Sequence, residues 1–91
     1  MDTAIIFRII GKVQGVGFRA YARETGLQLG LTGWVKNNPD GSVVGIAEGD
    51  FGLLREFLVR MRQGNRWSTV EEVQDQAQKF SGDYDTFEIR Y

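Results

Sequence analysis

The chain has 91 residues, 11 of them Lys or Arg and 12 Asp or Glu, with no histidine and no cysteine. This length predicts a single domain over residues 1–91, and the missing residue types exclude disulfides, thiolate nucleophiles and histidine-based acid–base or metal chemistry. A formal net charge of −1 provides no strong field for a polyanion, so we expect no nucleic-acid partner.

The first predicted element is a β-strand over Thr3–Ile10, in which Ile5, Phe7 and Ile9 recur at every second position and should face the core. Arg8 interrupts this apolar run, which is also too short to cross a bilayer. The acidic second residue is not typical of a signal peptide. We therefore expect a soluble, cytoplasmic protein without a membrane partner.

A glycine-rich loop over Gly11–Gly17 comes next, and helical spacing begins at Phe18. Ala22 and Leu29 continue one apolar side of this first helix, and Gly30 stands where a helix terminator is expected. The strand, the loop and the helix are therefore predicted to follow one another without a linker.

Two short runs rich in β-branched residues, Leu31–Lys36 and Ser42–Glu48, flank the turn-forming segment Asn37–Gly41 and predict a hairpin. Asp50 is placed to cap a second helix, whose apolar stripe extends to about Gln63. The hairpin is thus expected to connect the two helices.

Further strands are predicted over Trp67–Lys79 and Thr86–Tyr91, and in the second of these Phe87 and Ile89 face the same way. The resulting order of elements is typical of the split βαβ, ferredoxin-like sandwich. We expect an α+β fold in which both helices cover one face of an antiparallel sheet, with a short C-terminal strand added.

The loop and the start of the first helix read GKVQGVGFR over Gly11–Arg19. A strand that passes through glycines into a helix gathers unpaired N–H groups at one point, which favours anion binding. Gly15 and Gly17 allow close approach to the main chain, and Arg19 offers a planar fork that matches phosphate. The spacing fits neither the Walker nor the dinucleotide-binding pattern. Local pattern alone is equally compatible with a phosphate site and with a tight turn beside an exposed arginine.

Three segments, GKVQGVGFR at Gly11–Arg19, LGLTGWVKN at Leu29–Asn37 and DGSV at Asp40–Val43, resemble the acylphosphatase family. The resemblance continues through WSTVEEV at Trp67–Val73 and YDTFEIR at Tyr84–Arg90, so it covers essentially the whole chain. It implies an acylphosphatase, which hydrolyses small-molecule acyl phosphates to a carboxylate and inorganic phosphate by direct attack of water on phosphorus.

In this family the loop cradles the phosphate through backbone amides, its arginine clamps the phosphate, and an asparagine after the GWVK segment orients the attacking water. By this resemblance the catalytic residues are Arg19 and Asn37, and the phosphate-binding residues are Gln14, Gly15, Val16, Gly17, Phe18 and Arg19. The chain departs from the family at Asn38, which is expected to reduce the support of Asn37, and at Asn65, where proline is common and a structural role is expected.

The residue types also constrain the leaving group. An alkoxide leaving group has a conjugate acid with a pKa of ~16, whereas the carboxylate released from an acyl phosphate has one of ~4 and needs no general acid. A site built on arginine and asparagine therefore suits acyl phosphates better than phosphate esters. The acidic residues show no paired spacing, so we expect no metal and no cofactor, with inorganic phosphate or sulfate as competing anions.

Several residues have a structural interpretation as well as a functional one. Asn37 at a hairpin is commonly a turn former, and Asp40 is most simply a turn residue. Trp34 is compatible with packing on the open face of the sheet or with lining the entrance for the acyl group. Four phenylalanines are expected in the core: Phe7, Phe18, Phe57 and Phe87.

Two other functions are compatible with parts of the sequence. One is a non-catalytic module that binds phosphate or carbamoyl phosphate, as acylphosphatase-like domains of larger maturation proteins do. The other is RNA binding through the open sheet face, for which the stacking signature and the basic face are lacking. The sequence specifies neither the acyl group nor the oligomeric state, and we expect a monomer.

Overall fold

The computed structural model describes residues 1–91 and contains five strands and two helices. In chain order these are β1 (Asp2–Lys12), α1 (Phe18–Gln28), β2 (Thr32–Asn37), β3 (Val43–Asp50), α2 (Phe51–Gln63), β4 (Thr69–Gln78) and β5 (Phe87–Arg90). All seven elements correspond to predicted ones. Neither helix combines the length and the apolarity needed to cross a membrane.

The five strands form one sheet in the order β4-β1-β3-β2-β5. The first four pair in antiparallel fashion, and β5 is added parallel to β2, with Val35 opposite Ile89. Helix α1 packs on β2 and β5, whereas α2 packs on β1, β3 and β4, so both helices cover one face. This arrangement confirms the ferredoxin-like α+β prediction, and the parallel final strand makes the sheet mixed rather than wholly antiparallel.

The core lies between the helices and the sheet. Ile5, Phe7 and Ile9 face it, as their alternation predicts. The ring of Phe57 on α2 lies 5.3 Å from the ring of Phe7 and 5.7 Å from that of Phe87, measured between centroids. All four phenylalanines predicted to be internal are buried.

Gly26 is a poor helix former in the middle of α1, and the packing of the core explains its presence. A β-carbon built on Gly26 would lie only 2.5 Å from Cδ2 of Phe87. The missing side chain therefore lets α1 approach β5, which brings the N-terminal end of α1 and the C-terminal end of β5 together.

The predicted loop at Gly11–Gly17 is too long at its start, because β1 continues through Lys12. The pairing of β1 with β4 shifts register between Ile10 and Gly11, as in a β-bulge. Gly11 has a φ of 141°, and a β-carbon there would lie 2.1 Å from the carbonyl oxygen of Thr69. Gly11 is thus needed for close approach of two strands and is not a loop residue.

The segment between β4 and β5 crosses from one edge of the sheet to the other over the face without helices. Glu48 holds this crossing in place, with only 2% of its surface exposed. Its carboxylate accepts hydrogen bonds from Ser81 N at 3.0 Å, Ser81 Oγ at 2.8 Å and Gly82 N at 3.0 Å. These bonds compensate the burial of the charge and fix the path that leads into β5.

Candidate active site

The loop between β1 and α1 has the backbone geometry of an anion cradle. Gly15 and Gly17 both have a φ of 74°, in the left-handed region that only glycine adopts without strain. Gly17 is the N-cap of α1, no side chain caps the helix, and its first turn contains no acidic residue. The first N–H groups of a helix have no partner within it, so those of α1 are available to an anion.

A pocket of about 220 Å³ lies over this loop. The predicted site residues that line it are Gly15, Gly17, Phe18, Arg19 and Asn37. The structure thus brings the arginine of α1 together with the asparagine at the end of β2. Gln14 and Val16 belong to the same loop but do not line the pocket.

Arg19 presents an unpaired charge to the pocket. None of the ion pairs in the structure involves its guanidinium. The guanidinium carbon lies 4.8 Å from the centroid of the Tyr91 ring, a distance at which a cation is attracted to the aromatic face. This contact restrains the guanidinium, and its N–H groups stay free for an anion.

Asn37 carries a buried acceptor without a partner. Its Oδ1 is inaccessible to solvent and accepts no hydrogen bond from the protein. Most buried polar atoms in folded proteins are paired, so an unpaired one in a residue that lines a pocket points to a functional role for its side chain. The reading of Asn37 as a turn former is wrong, because Asn37 pairs with Val43 inside the sheet.

The turn of the hairpin is formed by other residues. Asn38 N donates to Ser42 O at 2.8 Å, and Gly41 N donates to Asn38 O at 3.0 Å. Gln14 in the loop donates through Nε2 to the same two carbonyls, Asn38 O at 2.7 Å and Ser42 O at 2.9 Å. The side chain of Gln14 therefore fastens the loop to the hairpin, and only its backbone remains to serve the cradle.

Asp40 has the structural role that the sequence suggests. Its Oδ1 accepts hydrogen bonds from Ser42 Oγ at 2.6 Å and Ser42 N at 2.9 Å, and its other oxygen pairs with Arg8. These hydrogen bonds, those from Ser42 first, lower the pKa of Asp40 to about 2. The ionised carboxylate thus fixes the turn that follows Asn37.

Five residues at or near the loop were not predicted as part of the site, and two of them, Val13 and Ala20, line the pocket beside the predicted residues. Ile89 and Tyr91 line the pocket, and continuing the alternation of Phe87 and Ile89 by one step would have placed Tyr91 there. Asn65, in the turn after α2, donates through Nδ2 to Val16 O at 2.8 Å. No local pattern indicates this contact.

Trp34 lies away from the pocket. It lines a shallow depression on the open face of the sheet, with Ile6 and Ile46 among its neighbours. The Arg90 guanidinium carbon is 4.9 Å from the centroid of its ring. Of its two predicted placements, packing on the open face is the correct one.

The donors and acceptors around the pocket define its chemistry. It offers backbone N–H groups, a guanidinium and the side-chain amide of Asn37, and its lining contains no carboxylate. Such a set binds a tetrahedral oxyanion and places an amide beside it that can hold a water molecule.

Comparisons with known proteins agree with this chemistry. A sequence model of the acylphosphatase family matches residues 5–89. The acylphosphatase of Geotalea uraniireducens is 40% identical over 91 residues and covers 100% of both chains. That of Moorella thermoacetica is 44% identical over 84 residues, 92% of this chain and 89% of its own.

The fold comparison leads to the same family. The solved structure of an acylphosphatase from Coxiella burnetii superposes with a TM-score of 0.92 at 34% identity, covering 98% of this chain and 93% of that one. The chain therefore belongs to the acylphosphatase family, the enzymes that hydrolyse acyl phosphates.

Proposed function

We propose that this acylphosphatase holds the phosphoryl group of its substrate between the loop amides and Arg19 while Asn37 orients a water molecule for in-line attack on phosphorus. The observation that carries this proposal is the meeting of Arg19 and Asn37 in the lining of one pocket. Arg19 stands at the N-terminal end of α1 and Asn37 at the C-terminal end of β2, the next element along the chain.

The phosphoryl group would lie at the N-terminal end of α1. Its oxygens would accept hydrogen bonds from N–H groups of the predicted loop, Gln14–Phe18, and from the guanidinium of Arg19. Phosphoryl transfer leaves little covalent work to the protein, so placement of these donors around the developing charge supplies most of the acceleration. The uncapped end of α1 and the absence of an acidic residue in its first turn support this assignment.

The side-chain amide of Asn37 would form a hydrogen bond with the attacking water. An amide holds the water without taking its proton, and the water lone pair is then directed at phosphorus. As the P–O bond to the acyl group breaks, the electron pair leaves on a carboxylate, and the surplus proton of the water passes to an oxygen of the phosphate that is formed. Since a carboxylate with a conjugate acid near a pKa of ~4 departs without protonation, no general acid is required.

The decisive experiment is turnover of benzoyl phosphate in the presence of EDTA. We expect full activity with the chelator, and competitive inhibition by inorganic phosphate and by sulfate. Because neither guanidinium nor amide titrates near neutrality, kcat/KM should be nearly flat between about pH 5 and pH 8, apart from ionisation of the substrate. A bell-shaped profile from two enzyme groups would contradict the proposed mechanism, and phosphate binding without turnover would favour a non-catalytic binding module.

We further propose that residues 1–91 act as one domain and as a monomer in the cytoplasm. One sheet and one cluster of buried side chains join all seven elements, which supports a single domain. Arg19 and Asn37 meet within one chain, which supports a site that is complete in a monomer. Light scattering across a concentration series tests the monomer, and cell fractionation tests the location.

A further inference from the structure

Asn65 contacts the phosphate loop from outside the pocket. It lies in the turn after α2, where Asn65 N donates to Ser68 Oγ at 3.0 Å and Ser68 N donates to Asn65 O at 3.3 Å. The main chain of Asn65 is thus held on both sides. Its side chain reaches 49 positions back along the sequence, and Nδ2 donates to the carbonyl oxygen of Val16 at 2.8 Å.

This hydrogen bond is the only one that the Asn65 side chain makes in the protein. Oδ1 of Asn65 is buried and has no partner. The polar contribution of the side chain therefore rests on its contact with Val16, and a substitution that removes Nδ2 removes this contact alone.

The carbonyl of Val16 and the N–H of Gly17 belong to the same peptide plane. In a trans peptide these two groups point in opposite directions, so fixing one fixes the other. Gly17 lines the pocket and Asn65 does not. A carbonyl turned towards Asn65 is consequently turned away from the pocket, which directs the Gly17 N–H towards the phosphate position.

The loop needs such a restraint because of its glycines. A peptide that precedes glycine rotates at little steric cost, since glycine accepts both signs of φ. In the rotated state the Val16 oxygen would face the phosphate and repel it. No side chain caps α1, so nothing at the helix end replaces this restraint.

We propose that Asn65 is a positioning residue, which holds the Val16–Gly17 peptide with its N–H directed at the phosphoryl group. This inference rests on the proposed function of the loop in binding phosphate. Asn65 itself does not line the pocket and acts through the peptide that does.

The test uses Asn65→Leu, which keeps the side-chain size and adds no charge but removes the donor. We expect the Kd for inorganic phosphate and the KM for benzoyl phosphate to rise together by about 3- to 10-fold, the effect of losing one hydrogen bond. Asn65→Ser, which is compatible with a turn and too short to reach Val16, should give the same result if the leucine variant folds poorly.

The matched control is Tyr21→Phe. It removes a bond of the same kind, Tyr21 Oη to Arg60 O at 2.7 Å, between α1 and the end of α2. The ring that packs on Phe18 and the main-chain bond to Gly17 O are both kept. Its stability should fall while its phosphate affinity stays that of the wild type. Equal losses of affinity in Tyr21→Phe and in the Asn65 variants would overturn the inference, because they would reflect general loosening.

An NMR titration adds a local readout. Inorganic phosphate should shift the Gly17 amide resonance strongly in the wild type, and in Asn65→Leu that shift should decrease more than the shift of the Gly15 amide. Unchanged Kd and unchanged shifts in the variants would overturn the role of Asn65. Failure of the wild type to bind phosphate would instead overturn the proposed function. The two failures are distinguishable because this second one is measured on the wild type and the first one on the variants.

Discussion

Helix α1 begins at a glycine in the left-handed region, with no side chain bonded to its first-turn amides, whereas α2 begins at Asp50, whose carboxylate accepts a hydrogen bond from Leu53 N at 3.2 Å. Both ends carry unpaired N–H groups and the positive end of a helix dipole. In α2 the protein satisfies these groups itself. In α1 it leaves them to a ligand and adds Arg19 beside them. The missing cap of α1 therefore favours anion binding at that helix end, since the same protein caps α2 with its own side chain.

The largest effect is expected from Arg19→Ala. This variant leaves the amides of α1 in place but removes the only guanidinium that lines the pocket, so phosphate should no longer protect the protein against unfolding. In the wild type, phosphate at 100 times its Kd should add about 2.7 kcal/mol of stability. Benzoyl phosphate turnover should fall by about 10³-fold or more.

The control for Arg19→Ala is Arg23→Ala, which lies one turn later on the same helix and outside the pocket. It should retain both the protection by phosphate against unfolding and the turnover of benzoyl phosphate. Residual phosphate protection in Arg19→Ala close to the wild-type value would mean that the helix end binds the anion without arginine. Denaturation curves with and without phosphate separate the two outcomes.

The second-largest effect is expected on the rate of the chemical step rather than on phosphate binding. Asn37→Ala removes the side-chain amide that orients the water, so kcat should fall by about 10²- to 10³-fold while the Kd for inorganic phosphate changes little. Asn38→Ala, the next residue and not part of the pocket lining, should lose much less activity. A parallel loss of phosphate affinity in Asn37→Ala would assign Asn37 to the cradle instead of to the water.

A third change gives α1 the kind of cap that α2 has. Gly17→Asp places a carboxylate at the N-cap, where it competes with phosphate for the same amides and repels it. Because Gly17 has a φ of 74°, any side chain adds strain, and Gly17→Ala measures that part alone. The Kd of Gly17→Asp for phosphate should be ~10- to 100-fold higher than that of Gly17→Ala. Equal affinities of the two variants would show that the amides of α1 are not the anion site.

The reverse change removes the N-terminal cap of α2. Asp50→Ala should lower the Tm by about 5 °C, because a capping side chain is lost from a small domain. The activity should be unchanged, and no second phosphate site should appear, since the start of α2 has neither a left-handed glycine nor an arginine in a pocket. Asp50→Ser, which keeps a capping oxygen, should recover most of the Tm.

The smallest effect is a difference in acid sensitivity. The hydrogen bond from Leu53 N, first among several causes, lowers the pKa of Asp50 below its ordinary value of 3.8. A carboxyl with a depressed pKa in the folded state adds stability above its ordinary pKa and loses it as the pH falls through the folded value. Asp50→Asn should therefore show a shallower loss of stability below about pH 4 in urea titrations. If the free energy of unfolding of Asp50→Asn depended on pH as it does in the wild type, ionisation of Asp50 would not be coupled to folding.

Much of the fold was predictable because its signals are local. The alternation of Ile5, Phe7 and Ile9 identifies β1 and its inner face, and Asp50 identifies the start of α2. The resemblance to acylphosphatases pointed to Arg19 and Asn37, which the loop spacing alone could not distinguish from turn residues.

The unpredicted features depend on contacts between distant segments. The bulge at Gly11 requires knowledge that β4 lies against β1. Glu48 acquires its three donors, and Asn65 its acceptor, from parts of the chain more than thirty positions away. Sequence periodicity reports which face a residue occupies, but it does not report which atom lies opposite.

The crossing segment anchored by Glu48 has a consequence for the order of folding. The hairpin of β2 and β3 closes a short loop, whereas β5 must pair with β2 after the chain has passed over the whole sheet, and such non-local pairing is slow to form. Tyr91 reaches Arg19 only after this last docking step. Since the pocket is incomplete before then, phosphate should stabilise the protein by slowing its unfolding and should leave its folding rate nearly unchanged.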